Sequence, residues 1–232
     1  MDTNLKIPEH IGIILDGNRR WAKSRNLPTF EGHRQGSENI TTIANYAFDR
    51  GIKIMSVFAF SVENWKRNQE EVGYLMDLFK LMLKDQFRIL ADRGIKLTVS
   101  GDITAFDTEL RGGIIDAQNN TADNKNGIFN VCLNYGGREE IIQAIKKIIQ
   151  DKINPKDIDQ NLFNKYLYTA GLPDPDLIIR TSGEQRLSGF LTWQSVYSEL
   201  YFVDKHWPDF STQDFDKALV EYSRRQRRFG GN

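Results

Sequence analysis

Short apolar runs alternate with longer stretches of helical spacing along the whole chain. The runs are IGIIL (11–15), IKIMSVFAF (52–60), IKLTVS (95–100), IFNVCLNY (128–135), DLIIR (176–180) and ELYFV (199–203). Most are apolar at successive positions rather than at every second one, which predicts strands buried on both faces, as in a parallel sheet. Helical patterns cover 33–50, 70–93, 107–123, 137–150, 159–169 and 212–226, and Gly51 and Gly94 follow the first two. A left-handed C-terminal turn favours glycine there. The alternation, with no linker between its parts, predicts one α/β domain over residues 1–232. Its core is a central parallel sheet of about six strands with helices on both faces.

The longest helical pattern, 70–93, carries an unusually broad apolar stripe. Val72, Leu75, Met76, Phe79, Met82, Leu83, Phe87 and Leu90 follow helical spacing, and Leu78 and Leu81 widen it. Such a face suits either an ordinary core helix or dimer face, or the wall of an apolar tunnel.

Composition narrows the class. With 232 residues, 40% hydrophobic and 11% aromatic, the chain can fill a proper core. Thirty-one basic residues balance 31 acidic ones, which argues against a nucleic-acid binder; the basic run SRRQRR near the C-terminus is short and follows an acidic helix. The single cysteine, Cys132, lies inside an apolar run and reads as a small core residue. No disulfide framework is available, which fits a reducing cytoplasm. The N-terminus MDTNLKIPEH lacks the order of a signal peptide, and no window reaches 18 consecutive apolar residues. Any membrane contact is expected to be peripheral.

The chemistry gathers where strands end. IGIIL runs into Asp16-Gly-Asn-Arg-Arg-Trp, IMSVFAF into Ser61-Val-Glu-Asn-Trp-Lys-Arg67, and DLIIR ends at Arg180 before Thr-Ser-Gly-Glu-Gln-Arg186. Ligands of open parallel sheets bind beyond the carboxyl ends of the strands. Arginine forks there suit carboxylates and phosphates, so several of them imply an oligoanion with phosphate groups. An aspartate among them makes sense if it holds Mg²⁺, which bridges a carboxylate to phosphate oxygens. The competing reading makes Asp16 a helix cap and the arginines surface ion pairs. Neither G-x-x-x-x-G-K-[ST] nor G-x-G-x-x-G occurs, so a P-loop NTPase or a dinucleotide enzyme is unsupported. Asn18 stands where an aspartyl phosphohydrolase would want a second acid, and no Asp-Asp pair occurs. A cationic rim above an apolar cavity would suit an isoprenoid diphosphate.

The blocks IPEHIGIILDGNRRWAKSR, GHRQG, FAFSVENWKRNQEEVGYLMDLF, NYGGREEI, DLIIRTSGEQRLSGFLTWQ, ELYF, WPDF and RRQRRFGG, in this order from about residue 7 to 231, closely resemble the cis-prenyltransferases, the undecaprenyl diphosphate synthase-like isoprenyl transferases. The resemblance implies a central parallel sheet, a hydrophobic tunnel and a homodimer. It also implies Mg²⁺-dependent addition of isopentenyl diphosphate units to an allylic diphosphate such as farnesyl diphosphate, with Z double bonds and an undecaprenyl product. A short-chain Z-prenyl synthase is the alternative within the family. Release of a lipid product implies peripheral contact with the inner face of the membrane.

Carried over residue by residue, the resemblance makes Asp16 the aspartate that engages Mg²⁺ and the allylic diphosphate. Gly17, Asn18, Arg19, Arg20 and Trp21 match the allylic diphosphate loop, with His33 beside it. Ser61, Val62, Glu63, Asn64, Trp65 and Arg67 match a closing loop, in which Asn64 is the position associated with proton removal. Arg180, Arg186, Leu187 and Ser188 match the isopentenyl diphosphate site, and Glu199 a second Mg²⁺ carboxylate. Arg228 and Gly230 resemble an R-x-G element that reaches a diphosphate across the dimer. Four positions depart from the pattern. Thr29 stands where the family often has arginine, with Arg25 and Arg34 the basic residues nearest to replace it. Asn68 stands at a frequent proline, and Gly189 and Thr192 at a frequent Asn and Leu. A non-catalytic partner subunit would be expected to lose Asp16 or the arginines, and this chain keeps Asp16, Arg20, Arg180 and Arg186.

Overall fold

A computed structural model describes residues 5–226. Its six strands are β1 (His10–Ile14), β2 (Ile54–Ser61), β3 (Ile95–Ser100), β4 (Gly127–Tyr135), β5 (Leu177–Arg180) and β6 (Glu199–Phe202). They form one sheet in the order β3-β4-β2-β1-β5-β6, and every neighbouring pair is parallel. All six strands read from the apolar runs are present. From β1 the chain goes to β2 beside it, on to β3 at the sheet edge and back to β4 between β3 and β2, and then crosses to the other side of β1 for β5 and β6. The reversal of direction therefore falls at β1, where a crevice opens beyond the strand ends.

The helices are α1 (Asn18–Ser24), α2 (Thr29–Asp49), α3 (Gln69–Leu81), α4 (Phe87–Asp92), α5 (Thr108–Asn120), α6 (Gly137–Gln150), α7 (Gln160–Asn164) and α8 (Thr212–Arg224). Three differ from the sequence expectation. Helix α1 is not among the helical patterns and entered only through the reading of Asp16 as a cap, because NRRWAKS has no apolar stripe and buries only Ala22. The segment 70–93 is divided into α3 and α4 by a π-helical turn, Met82–Gln86, of the kind inserted by one extra residue. The segment 159–169 is helical only over α7. Gly51 and Gly94 have φ of 91° and 74°, as expected of left-handed helix ends.

Two apolar layers sandwich the sheet. Ile11, Ile13, Met55, Val57 and Phe129 pack on one face with Ile43 and Ala47 of α2, Leu78 and Phe79 of α3, and Phe215 and Leu219 of α8. On the other, Ile14, Cys132, Tyr135 and Ile178 pack with Phe190 and Leu191. Cys132 is fully buried, and burial pushes its thiol well above the ordinary range, so it is a core residue.

A polar chain crosses this second face. His10 Nδ1 donates to the Pro173 carbonyl at 2.7 Å, and Nε2 lies 2.8 Å from Ser56 Oγ. Ser56 Oγ accepts from Asn130 Nδ2 at 3.0 Å, and Asn130 Oδ1 accepts from Ser100 Oγ at 2.9 Å. Four adjacent strands are thus tied by satisfied buried groups, which fixes their register. Among the described residues no helix is long and apolar enough to cross a membrane.

Helix α1 lies against α2 at two glycines. A Cβ on Gly32 would sit 2.0 Å from the Asn18 carbonyl oxygen, and one on Gly36 would sit 2.4 Å from Asn18 Oδ1. Only glycine permits that approach, and the approach hangs the polar α1 over the crevice.

Candidate active site

The carboxyl ends of β1, β2 and β5 open into a cavity of about 930 Å³. Its apolar wall includes Ile40 of α2, Leu75, Leu78 and Phe79 of α3, Met82 of the π turn, and Trp207. The broad stripe of the long helix therefore lines a cavity with part of its surface, and Phe87 and Leu90 belong to the core instead. At the polar end stand Asp16, Asn18, His33, Ser61, Asn64, Arg67, Arg180 and Ser188. A second cavity of about 770 Å³ shares Asp16, Asn18, His33 and Arg67, and adds Gly17, Arg19, Arg20, Lys23 and Thr29.

Asp16 does not cap α1. Gly17 occupies the cap position with φ 105°, and its Cβ would meet Ser182 Oγ at 2.7 Å. The Asp16 carboxylate accepts from Arg180 Nη2 at 2.9 Å and lies 3.1 Å from Arg20 Nη2. Burial works to raise its pKa, but the Arg180 and Arg20 guanidinium groups outweigh it and hold the carboxyl below the usual range. Asp16 is therefore an anion at neutral pH. Arg180 is almost fully buried, its side chain 5% exposed. Its Nη1 donates to Ser188 Oγ at 2.9 Å and to the Arg186 carbonyl.

The loop that carries Arg186, Leu187 and Ser188 is tightly wound. Ser182, Ser188 and Leu191 have φ of 76°, 51° and 44°, and Gly183 and Gly189 have 76° and 81°. Non-glycine residues take this conformation at a cost and persist where the surroundings over-determine them. Here the Arg180 bonds and the Gly137 N–H donated to the Gly189 carbonyl at 2.8 Å do so. Gly189 in place of a frequent Asn follows from the same geometry, since both residues tolerate a left-handed backbone. Asn68 likewise has a proline-like φ of −56°, and its side chain caps α3 by accepting from the Glu70 N–H at 2.6 Å.

The expected site residues divide into three groups. Asp16, Asn18, His33, Ser61, Val62, Glu63, Asn64, Arg67, Arg180, Leu187 and Ser188 border the first cavity, and Gly17, Arg19 and Arg20 the second. Arg186 borders neither, but joins the rim through Glu184, which bonds Arg20 at 2.9 Å and Arg186 at 2.6 Å. Two tryptophans turn away: Trp21 donates to Asp209 Oδ1 and Trp65 to Asn134 Oδ1, at 2.7 and 2.8 Å. Glu199 stands apart from the rim within one chain. It opposes Leu177 at the start of β6, whereas Arg180 opposes Phe202 at the strand's end. Glu199 therefore faces the far edge of the sheet, where it pairs with Arg225 at 2.9 Å, and one chain does not bring it to Asp16. Arg228 and Gly230 lie outside the described residues.

Neither basic residue near Thr29 is free to replace the absent arginine. Arg25 pairs with Asp209 at 2.9 Å and stacks on Trp21, and Arg34 pairs with Glu31 and Glu38 at 2.9 and 2.6 Å. Lys23 borders the second cavity instead. Sequence reasoning also missed Glu184 and Glu71. The second lies 3.0 Å from Arg67 and 3.1 Å from His33, and the four-residue spacing of Arg67 and Glu71 was the available signal. Burial lowers the His33 pKa despite the opposing effect of Glu71, so the ring is neutral near pH 7.

The family profile described as a putative undecaprenyl diphosphate synthase matches residues 14–230. The chain belongs to this cis-prenyltransferase family. An isoprenyl transferase of Clostridium perfringens is 47% identical over 97% of this chain and 91% of its own. A ditrans,polycis-undecaprenyl-diphosphate synthase of Legionella pneumophila, (2E,6E)-farnesyl-diphosphate specific, is 44% identical over 98% and 97%. Among solved structures, lavandulyl diphosphate synthase from Lavandula x intermedia, in complex with dimethylallyl diphosphate, superposes with a TM-score of 0.93. It is 36% identical, over 97% of this chain and 99% of that one.

Proposed function

We propose that the protein condenses isopentenyl diphosphate onto an allylic diphosphate, farnesyl diphosphate by preference, in repeated cis additions that end at undecaprenyl diphosphate. The observation that carries this reading is the rim of arginines around one ionised aspartate, set at the mouth of an apolar cavity of about 930 Å³. Arg20 and Asp16 take the allylic diphosphate, and Arg180, Arg186 and Ser188 take that of isopentenyl diphosphate. The prenyl chain runs between Ile40, Leu75, Leu78, Phe79 and Met82.

In each cycle the C1–O bond of the allylic diphosphate breaks and its electron pair leaves with the diphosphate. The alkene of isopentenyl diphosphate forms the new bond to C1, and a proton is lost from its C2. Guanidinium groups fixed before the reaction stabilise the charge that grows on the leaving oxygens. The apolar walls keep water from the carbocation, and two anchored diphosphates hold C1 near the alkene. Asn64 is too weak a base to take the proton, and its Oδ1 already accepts from the Ser61 N–H at 3.1 Å. The diphosphate oxygens are the stronger bases present, and Asn64 orients the loop beside them.

The residues fit a magnesium ion. Asp16 is a half-exposed, ionised carboxylate at the phosphate end, and Mg²⁺ is held by one or two carboxylates together with substrate phosphates. Bound there, it would neutralise part of the leaving group's charge. A homodimer and peripheral membrane contact for release of the lipid belong to the same proposal.

The test is incubation of the purified protein with farnesyl diphosphate, labelled isopentenyl diphosphate and Mg²⁺, followed by sizing of the products. Long products that disappear in Asp16→Ala are expected. No incorporation, or incorporation indifferent to that substitution, overturns the mechanism. Products of three or four isoprene units overturn the undecaprenyl assignment and favour a short-chain synthase.

A further inference from the structure

The second cavity holds one cation that the protein itself leaves unpaired. Leu15, Asp16, Asn18, His33 and Arg67 border both cavities and mark the boundary between them, whereas Arg19, Arg20 and Lys23 border only the second. Arg20 pairs with Asp16 and Glu184, Arg67 with Glu71, and Arg19 lies 3.9 Å from Glu71. Among the described residues no carboxylate pairs with Lys23, alone of the cations that line this space.

Helix α1 gathers these charges without an acid of its own. Its sequence, NRRWAKS, puts Lys23 one turn beyond Arg19 and Arg20 and on the same side. Like charges at that spacing repel and weaken an isolated helix. A cation in the last turn does meet the negative end of the helix dipole. The dipole favours a lysine anywhere on that turn, however, and does not account for its place on the side that already carries two arginines. An arriving polyanion does account for it.

The two cavities also fix which part of the polyanion Lys23 meets. In prenyl transfer C1 of the allylic substrate must reach the first cavity, where the apolar walls lie. The phosphate bonded to C1 therefore sits at the boundary, by Asp16 and Arg20. The terminal phosphate extends into the second cavity, toward the turn of α1 that carries Lys23. It bears the larger share of the charge. An ammonium on a flexible stem can follow its oxygens, and Lys23 does so without first leaving an internal carboxylate.

We propose that Lys23 binds the terminal phosphate of the allylic substrate and so makes the site select a diphosphate over a monophosphate. This rests on the prenyl-transfer reading above and names a residue that sets its substrate class. The isopentenyl diphosphate side of the rim is built on Arg180 and Arg186, which pair with Asp16 and Glu184, and does not involve Lys23.

The experiment compares Lys23→Gln and Lys23→Arg with wild type. It measures KM for farnesyl diphosphate, KM for isopentenyl diphosphate, and the inhibition constant of farnesyl monophosphate. Lys23 is exposed, so thermal unfolding followed by circular dichroism should be unchanged in both variants. In Lys23→Gln, KM for farnesyl diphosphate should rise about tenfold, the size expected for one charge-assisted contact. KM for isopentenyl diphosphate and the monophosphate inhibition constant should stay within about twofold. Lys23→Arg keeps the charge and should stay close to wild type. An unchanged KM for farnesyl diphosphate in Lys23→Gln overturns the proposal. So does an equal rise in both KM values, an equal loss of monophosphate and diphosphate affinity, or a Lys23→Arg variant as impaired as Lys23→Gln. If wild type itself incorporates no isopentenyl diphosphate, the prenyl-transfer reading fails and this proposal with it. An active wild type beside an unaffected Lys23→Gln sinks the role of Lys23 alone.

Discussion

His10 sets a pH limit on the stability of the sheet. It is the first residue of β1, 2% exposed, and both ring nitrogens are engaged. A carbonyl only accepts, so Nδ1 carries the proton toward Pro173, and Nε2 accepts from the Ser56 hydroxyl. Protonating the ring would place a buried cation there and force Ser56 to turn against Asn130. Burial accordingly lowers the pKa from 6.5 to about 4, although the Pro173 bond and the Asp176 charge oppose it. The folded value lies below the unfolded one, so the stabilisation is full above pH 6.5, falls progressively as pH drops from 6.5 to 4, and is gone below 4. One pKa unit is worth about 1.4 kcal/mol, so linkage removes roughly 2.5 kcal/mol between pH 7.5 and 4.5.

Urea unfolding of wild type and His10→Asn at those two pH values isolates the term, because the carboxylates that also titrate there are common to both proteins. Asparagine keeps a donor for the Pro173 carbonyl but does not ionise. Wild type should lose about 2.5 kcal/mol more than the variant between the two pH values. Equal losses would refute the reasoning. So would a His10 imidazole that titrates near pH 6.5 by nuclear magnetic resonance.

Outcomes at three further positions follow from the geometry around the site. Gly32→Ala drives a methyl into the Asn18 carbonyl, so calorimetry should show at least 1–3 kcal/mol of destabilisation, with loss of turnover as α1 shifts; unaltered activity would show that α1 need not lie against α2. Asn68→Ala removes the α3 cap and should cost about 1 kcal/mol. Asn68→Pro should stay within about 0.5 kcal/mol, because φ −56° and the extended Arg67 before it both suit proline. Arg186→Ala leaves Arg180 and Asp16 in place and should raise KM for isopentenyl diphosphate about tenfold or more; an unchanged value removes Arg186 from that site.

The strands were legible because burial on both faces writes itself as unbroken apolar runs. The rim was legible because parallel strands deliver the residues after their carboxyl ends to the same edge. Helix α1 was hidden, since a polar segment held by close approach to Gly32 and Gly36 has no periodic signature. The π turn is a matter of one inserted residue, which leaves the apolar stripe of 70–93 nearly intact. Glu71 and Glu184 were hidden for another reason: an acid beside an arginine in sequence does not reveal which distant arginine it will meet. Glu199 is more instructive. A strand beginning at Glu199 in a parallel sheet puts that residue at the opposite edge from one placed just after a strand, as Asp16 is.

The carboxylates the sequence left unassigned explain how the rim holds together without ligand. Arg19, Arg20, Arg67, Arg180 and Arg186 meet Asp16, Glu71 and Glu184, so none of these five guanidinium groups lacks a carboxylate partner. Unpaired, Arg180 would be an isolated charge in the interior, which costs several kcal/mol. Paired, the arginines stay aimed at one edge of the sheet with their entropy already lost, and an arriving diphosphate does not have to gather them. The same pairing sets a threshold. A monoanion replaces one contact and gains little over the carboxylate it displaces, whereas a diphosphate engages several arginines at once. Selectivity for diphosphates over simple anions thus follows from excess cation around a few internal acids, in a chain whose net charge is zero.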